Sequence, residues 1–168
     1  MLAEWVNIYI SYSPLYWIQL GYAQYWTRWI FPPFPYVKYD FYLERMDAYG
    51  RWITVSLFSP ITDHLYIYEL YYDLEGAPYV WHTRILEGQS AFWTGSSSTN
   101  PATCIDIAAL VETSHTGVDI DDSHFSNLKY YDNSNWYYWS LHYSYSTPNS
   151  PYSVQTISHY EFYASGGG

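Results

Sequence analysis

The sequence predicts an all-β protein that folds as an antiparallel β-sandwich or jelly roll, and three observations support this. Tyr, Trp and Phe together make up 23% of the 168 residues, a composition that favours strands. Apolar and polar residues alternate with a period of two along most of the chain, as in half-buried strands. Clusters of Pro, Gly, Asn, Asp and Ser interrupt this pattern at the close spacing typical of sandwiches and barrels.

The first predicted strand covers Leu2–Tyr12, where Val6, Ile8 and Ile10 belong to one nearly continuous apolar face. Ser13-Pro14 ends it. This strand suits either the first position in its own sheet or the completion of another copy's sheet by strand addition. Further strands are predicted over residues 15–30, 36–45, 51–59, 63–73, 79–87, 103–113, 123–131, 135–145 and 152–163. We predict one domain over residues 1–164, a loop over 95–101 and a Gly-rich tail over 165–168.

Charge and composition narrow the range of partners. The chain has 6 Lys and Arg against 16 Asp and Glu, a net charge of -10, so nucleic acid and anionic membrane surfaces are excluded as partners. No apolar run reaches the ~18 residues of a membrane span. The chain opens without a signal peptide, so it is either cytoplasmic or a mature secreted form. Sparse charge with abundant Tyr, Ser and Thr favours the secreted, extracellular form. The lone Cys104 is predicted to be a buried small hydrophobe.

Three short motifs occur in an order that resembles a known family. Trp-Ile-Gln19-Leu-Gly is followed by Tyr-Asp-Phe-Tyr-Leu-Glu44, and then by residues 107–112, Ile-Ala-Ala-Leu-Val-Glu, with Phe-Ser-Asn at 125–127. Together they resemble the eqolisin-type glutamic peptidases and, more distantly, the neprosin-like proteins. The resemblance covers roughly residues 15–131. It implies a concanavalin-like sandwich of two curved sheets, with the strand that ends at Glu44 on the floor of the cleft.

The resemblance also implies roles for individual residues. Gln19 takes the place of the family's catalytic glutamine, which orients the attacking water and stabilises the oxyanion. Ala108 stands where the family has its catalytic glutamate, so the general base is missing there. Alternation along a strand places Asp106 and Glu112 on the same face, about 7 Å and about 13 Å from residue 108. If the protein is an enzyme, Gln19, Asp106 and Glu112 are therefore the catalytic candidates, although Gln19 as a groove-lining amide is the structural alternative.

An acidic segment provides the one candidate metal site. Asp119, Asp121 and Asp122 follow Gly117 closely, and calcium takes oxygen ligands from loops of this kind. The spacing does not fit an EF-hand, and a solvated acidic turn explains the same residues. We therefore predict calcium as the single possible cofactor, and no other.

The sequence leaves three functions open. The missing base at residue 108 favours a non-catalytic, self-assembling subunit of an extracellular surface or filament, with copies of itself as partners. An acid peptidase with a rearranged dyad is the first alternative. A carbohydrate-binding module is the second, because Tyr-rich and Trp-rich strands such as residues 136–139 present rings that stack on sugars, with glycans as partners.

Overall fold

The chain is all-β wherever its structure is described. The computed structural model describes residues 1–13, 15–28, 35–46, 49–61, 64–72, 80–87, 90–98, 104–132, 135–140 and 150–167. Its thirteen strands are β1 Leu2–Tyr12, β2 Leu15–Arg28, β3 Pro35–Met46, β4 Trp52–Ser56, β5 Tyr66–Tyr72, β6 Val80–Glu87, β7 Ser90–Ser98, β8 Asp106–Thr113, β9 Ile120–Phe125, β10 Lys129–Asp132, β11 Asn135–Tyr138, β12 Ser153–Ser158 and β13 Glu161–Gly166. No helix within these ranges is long and apolar enough to cross a membrane.

Contacts divide the chain into two compact units, residues 3–110 and residues 1–2 with 111–168. We call them the N-terminal and the C-terminal unit and describe each by itself. In the N-terminal unit, a five-stranded sheet has the order β4-β3-β2-β1-β8, of which β8 belongs to this unit through residue 110, and a three-stranded sheet has the order β5-β6-β7.

An apolar cluster joins these two sheets face to face. Ile8, Ile18 and Phe41 from the larger sheet are buried together with Trp81 and Ile85 from the smaller one. The Phe41 ring also meets the Tyr66 and Tyr68 rings of β5 edge-on, at 4.7 and 5.9 Å between centroids. The predicted antiparallel sandwich is therefore confirmed, whereas the jelly-roll topology stays a prediction. β1 lies between β2 and β8 in its own sheet, and its donation to another copy stays a prediction.

Several predicted boundaries need correction. Part of the predicted loop at 95–101 is strand β7, because its backbone pairs with β6 although Ser, Thr and Gly give it no apolar pattern. The predicted strand 123–131 is two strands, β9 and β10, since Asn127 between them has a positive φ of 56°. The predicted strand 152–163 is likewise the hairpin β12–β13. The latter continues through Gly166, two residues past the predicted domain end at 164.

The pairing of β1, β2 and β3 positions the second face of the larger sheet, which carries polar side chains beside a smaller buried cluster of Ala3, Trp5, Ala23 and Tyr42. β2 and β3 pair along twelve consecutive positions, from Trp17 opposite Met46 to Arg28 opposite Pro35, which puts Gln19 directly opposite Glu44. At Gly21 a Cβ atom would overlap the backbone carbonyl of Glu4 and the Trp5 ring. Only glycine therefore allows β1 to lie this close to β2.

The C-terminal unit contains a three-stranded sheet, β12-β13-β9, and the two-stranded hairpin β10-β11. The Phe125 and Phe162 rings stack across β9 and β13 with their centroids 4.9 Å apart. Ile120 on β9 and Ala164 on β13 are also buried. The Tyr152 hydroxyl donates to two backbone carbonyls that precede the acidic segment, those of His115 and Val118.

Candidate functional site

A row of polar side chains crosses the five-stranded sheet on the face opposite the apolar cluster. Gln19 on β2 is the direct partner of Glu44 on β3, which in turn is the direct partner of Thr54 on β4. Directly opposed residues of antiparallel strands point to the same face, so their side chains meet. Asn7 on β1 extends the row by one strand through its contact with Gln19.

Hydrogen bonds along this row all lead to the Glu44 carboxylate. Asn7 Nδ2 donates to Gln19 Oε1 at 3.0 Å, and Gln19 Nε2 donates to Glu44 Oε2 at 3.0 Å. From the other side, Trp52 Nε1 donates to Thr54 Oγ1 at 3.0 Å, and Thr54 Oγ1 donates to Glu44 Oε1 at 3.1 Å. Both oxygens of Glu44 therefore end a chain of donors, an arrangement that suits an ionised carboxylate.

The acceptor character of Glu44 fixes the orientation of both amides. An ionised carboxylate can only accept, so the NH2 group of Gln19 faces it and Gln19 Oε1 faces Asn7. The NH2 group of Asn7 must then face Gln19. Among the described residues, Asn7 Oδ1 is consequently left without a hydrogen-bond partner although it is buried. Asn7 is 4% exposed and Gln19 is 6% exposed, so this end of the row is shielded from solvent.

The opposite end of the row is open. β4 is the outer strand of the sheet, and its Trp52 is 61% exposed, while the Trp17 ring packs edge-on against Trp52 at 5.3 Å. Glu44 itself is half-buried, between the buried amides and this exposed indole. The carboxylate is therefore accessible from the β4 edge.

A second carboxylate on the same face of β3 has different surroundings. Asp40 is 3% exposed and accepts hydrogen bonds from Ser56 Oγ at 2.7 Å and Ser59 Oγ at 3.0 Å, beside an ion pair with Lys38. Burial by itself raises the pKa of Asp40, but the hydrogen bonds from Lys38, Ser56 and Ser59 outweigh it and hold the pKa below its ordinary value. The hydrogen bonds to Asp40 and then to Tyr25 raise the pKa of Lys38 in turn.

The structure brings Gln19 to a carboxylate, but to neither of the predicted ones. Asp106 is exposed, and its hydrogen bonds in the described part of the chain come from the Tyr12 hydroxyl at 2.9 Å and the Ile107 backbone N–H at 2.8 Å. Glu112 is exposed and belongs to the C-terminal unit. The acid beside Gln19 is Glu44. Sequence reasoning missed this pair because it depends on the register between β2 and β3.

The acidic segment is solvent-facing. Asp119, Asp121 and Asp122 are exposed, the last with a positive φ of 51°, and the buried residues of β9 are Ile120, Ser123 and Phe125. Within the residues that the structure describes, no three His, Cys, Asp or Glu side chains are grouped to hold a metal ion. Calcium at these positions stays a prediction.

Cys104 is exposed, so its predicted burial is wrong. It lies just before β8, where Sγ donates to the Asp106 carbonyl at 3.3 Å instead of packing into a core.

Comparison of the chain with protein families, curated proteins and solved structures gives no match. The resemblance to glutamic peptidases therefore rests on the order of the three motifs in the sequence.

Proposed function

We propose that this protein is an acid hydrolase of the glutamic-peptidase type, with Glu44 and Gln19 as its reacting groups. The observation that supports this proposal is the 3.0 Å contact between Glu44 Oε2 and Gln19 Nε2. The missing glutamate at Ala108 favoured a non-catalytic subunit because no acid was expected beside Gln19. A carboxylate from β3 removes that reason, since it can act as the proton acceptor that the chemistry needs.

In this mechanism the ionised Glu44 takes a proton from a water molecule that attacks the carbonyl carbon of the scissile bond. Gln19 Nε2–H donates to the carbonyl oxygen as negative charge develops on it. The C–N bond then breaks, and the protonated Glu44 transfers its proton to the leaving amine. Since one group must serve as base and then as acid, we expect the highest activity in weak acid.

The direct contact between amide and carboxylate represents the site without substrate. Attack requires a water molecule at Glu44 Oε2, so the half-buried Glu44 side chain moves away from Gln19 toward the β4 edge when substrate binds. Asn7 holds the amide of Gln19, and Thr54, supported by Trp52, holds the carboxylate. We assign these three as positioning residues.

The choice of a peptide bond as substrate follows from the resemblance. We further propose that the protein acts outside the cell, where a surface rich in hydroxyl groups and poor in charge is common.

The test is digestion of casein or haemoglobin at about pH 3–4 by the wild type and four variants. Glu44→Gln and Gln19→Ala should lose activity by about 10²- to 10⁴-fold. Asp106→Asn and Glu112→Gln are the matched controls and should keep it. Activity lost in either control and retained in Glu44→Gln would assign the dyad to the predicted acids instead. A wild type that cleaves nothing across the acidic and neutral range would refute the proposal.

A second candidate function, the self-assembling structural subunit, is favoured by the outer strand β12. Its sequence, Ser-Val-Gln-Thr-Ile-Ser, has no charge and no proline, and Val154 and Ile157 are 39% and 51% exposed. An uncharged, exposed edge strand is a template for pairing with another copy. If sedimentation velocity detects oligomers, Ile157→Lys should dissolve them and Ile61→Lys, at a residue 50% exposed outside any strand, should not. Monomers at every concentration would exclude this function.

A further inference from the structure

The hairpin β10–β11 of the C-terminal unit presents aromatic rings to solvent on both of its faces. All eight of its strand residues are exposed. Five of them are aromatic, with exposed fractions between 38% and 52%: Tyr130, Tyr131, Trp136, Tyr137 and Tyr138. We call these five residues the aromatic hairpin. A cluster of exposed apolar side chains on a protein surface often marks a binding site.

The rings form cross-strand pairs on opposite faces of the hairpin. Tyr130 lies opposite Tyr137, with centroids 5.6 Å apart and planes inclined by 26°. The next pair along, Tyr131 and Trp136, has centroids 5.2 Å apart and planes inclined by 59°. Because neighbouring residues of a strand point to opposite faces, the two pairs form separate platforms.

The base of the hairpin is fixed to the turn between β12 and β13. Leu128 N–H donates to the Tyr160 carbonyl at 3.1 Å, and Trp139 N–H donates to the Leu128 carbonyl at 3.1 Å. Tyr138 packs on Tyr160 at 4.6 Å and lies under the Lys129 ammonium, which is 4.5 Å from its ring centroid. Tyr138 therefore serves as the anchor, and the two ring pairs beyond it are held in place before any ligand arrives.

From these features we infer that the aromatic hairpin binds a neutral polysaccharide. Every apolar side chain on it carries a polar group, a phenol or an indole N–H, and none is aliphatic. A pyranose ring has the matching chemistry, because its C–H face stacks on aromatic rings and its hydroxyl groups bond the polar atoms at their edges.

Charge favours a neutral polysaccharide over the other partners that an aromatic surface could bind. Lys129 and Asp132 cancel within the hairpin, so it offers no net charge to an ionic partner. The whole chain carries -10, which repels polyanions and opposes docking of a second copy. A neutral, hydroxyl-rich polysaccharide needs no ionic partner on the hairpin and is not repelled by the charge of the protein.

The experiment measures retention of the purified protein by affinity electrophoresis and pull-down on cellulose, chitin, xylan, mannan and starch, with alginate and heparin as polyanions. We expect retention on at least one neutral polysaccharide and on neither polyanion. Trp136→Ala and Tyr137→Ala should each weaken it by about ten-fold or more. The matched controls, Tyr12→Ala and Tyr49→Ala, remove rings that are 59% and 84% exposed in the other unit and should leave it unchanged. Near-UV circular dichroism checks that each variant keeps its fold.

Other outcomes would overturn the inference. These are no retention on any of the five neutral polysaccharides, stronger retention on alginate or heparin, and equal retention of wild type and both hairpin variants. Sedimentation velocity would overturn it as well if it showed a dimer that Trp136→Ala dissociates, because the hairpin would then be an interface between copies. Glu44→Gln should bind polysaccharide as the wild type does, so the hydrolase proposal and this one fail independently.

Discussion

Two carboxylates on β3, Asp40 and Glu44, lie four residues apart on the same face of the same sheet, yet their surroundings differ in charge and exposure. Asp40 is 3% exposed and is held by a lysine and two serines. Glu44 is half-buried and accepts from two neutral groups, the Gln19 amide and the Thr54 hydroxyl. The comparison shows how one strand can carry one acid that stabilises the sheet and another that can take part in chemistry.

The difference matters because a hydrolytic acid must gain and lose a proton in each cycle. The ion pair with Lys38 and the serine hydroxyls hold the pKa of Asp40 below its ordinary value, so Asp40 stays ionised in weak acid and has no proton to give to a leaving group. Glu44 accepts hydrogen bonds from the neutral Gln19 amide and the neutral Thr54 hydroxyl, and solvent can reach it from the β4 edge. Access and neutral donors therefore point to Glu44 as the reacting acid.

The largest expected effect is on activity. Glu44→Gln should lower kcat/KM on a peptide substrate by about 10³-fold, because it removes the proton acceptor while keeping the shape of the side chain. Asp40→Asn should leave the activity of each folded molecule within about two-fold, since Asp40 has no part in the proposed reaction. Assays normalised by the folded fraction at each pH make the comparison. A similar loss in both variants would show that the two acids act as one unit.

The second effect concerns stability, for which Asp40 should matter more than Glu44. Asp40→Asn should lower the free energy of unfolding by about 2–3 kcal/mol, because it leaves the Lys38, Ser56 and Ser59 donors around a buried group that can no longer accept from all of them. Glu44→Gln should cost about 1 kcal/mol or less, since its site is half-exposed and water can replace the lost acceptor. Urea titrations followed by tryptophan fluorescence measure both. Equal losses would remove the distinction between a structural and an accessible acid.

The sequence predicts some of the strands and residues in this comparison, but it does not predict the contact between Gln19 and Glu44. Alternation predicts β1 over the range at which it occurs and β3 to within one residue at each end, because both strands have a clear apolar face. β7 is not predicted, since its residues after Trp93 are only Thr, Gly and Ser and carry no such pattern. Gln19 stands out through its motif, and Glu44 through its place at the end of an aromatic strand.

Neither motif predicts that Gln19 and Glu44 are in contact. Their contact depends on the register of β2 against β3, and a shift of one residue would turn Glu44 toward the apolar core. Likewise, Asp106 and Glu112 lie on a suitable face of their own strand, but the order of strands in the sheet puts β1 between β8 and β2. Strand order and register are long-range properties that local alternation does not carry.

A third, smaller effect tests the buried end of the row. Asn7→Ala removes the donor to Gln19 Oε1 and also the buried Oδ1 that has no partner. One unsatisfied acceptor thus replaces another, so the free energy of unfolding should change by only about 1 kcal/mol once the small loss of packing is included. Activity should fall further, by about ten-fold, because the Gln19 amide is no longer held toward Glu44.

Two quantities are measured on one preparation of Asn7→Ala: the urea midpoint of unfolding and the rate at saturating substrate. Asn7→Leu is the comparison variant, since it keeps the approximate size of the side chain but has no donor for Gln19. The two variants should lose kcat to a similar extent with little change in KM. A variant that is strongly destabilised yet fully active per folded molecule would show that Asn7 serves the fold alone.

The smallest effect is the pH dependence of the Lys38–Asp40 ion pair. Asp40 has a folded pKa below its ordinary 3.8, so its contribution is present above that value and is lost as pH falls through the folded pKa. Lys38 has a folded pKa above its ordinary 10.5, so its contribution is present below that value and is lost as pH rises through the folded pKa. The difference in unfolding free energy between wild type and Lys38→Met should therefore be constant from about pH 4 to pH 10 and shrink beyond both ends. Because the Lys38 side chain is 39% exposed, solvent screening limits the plateau to at most about 1 kcal/mol. A difference that varies steadily across the neutral range would mean that other groups, rather than this pair, control the stability of the Asp40 cluster.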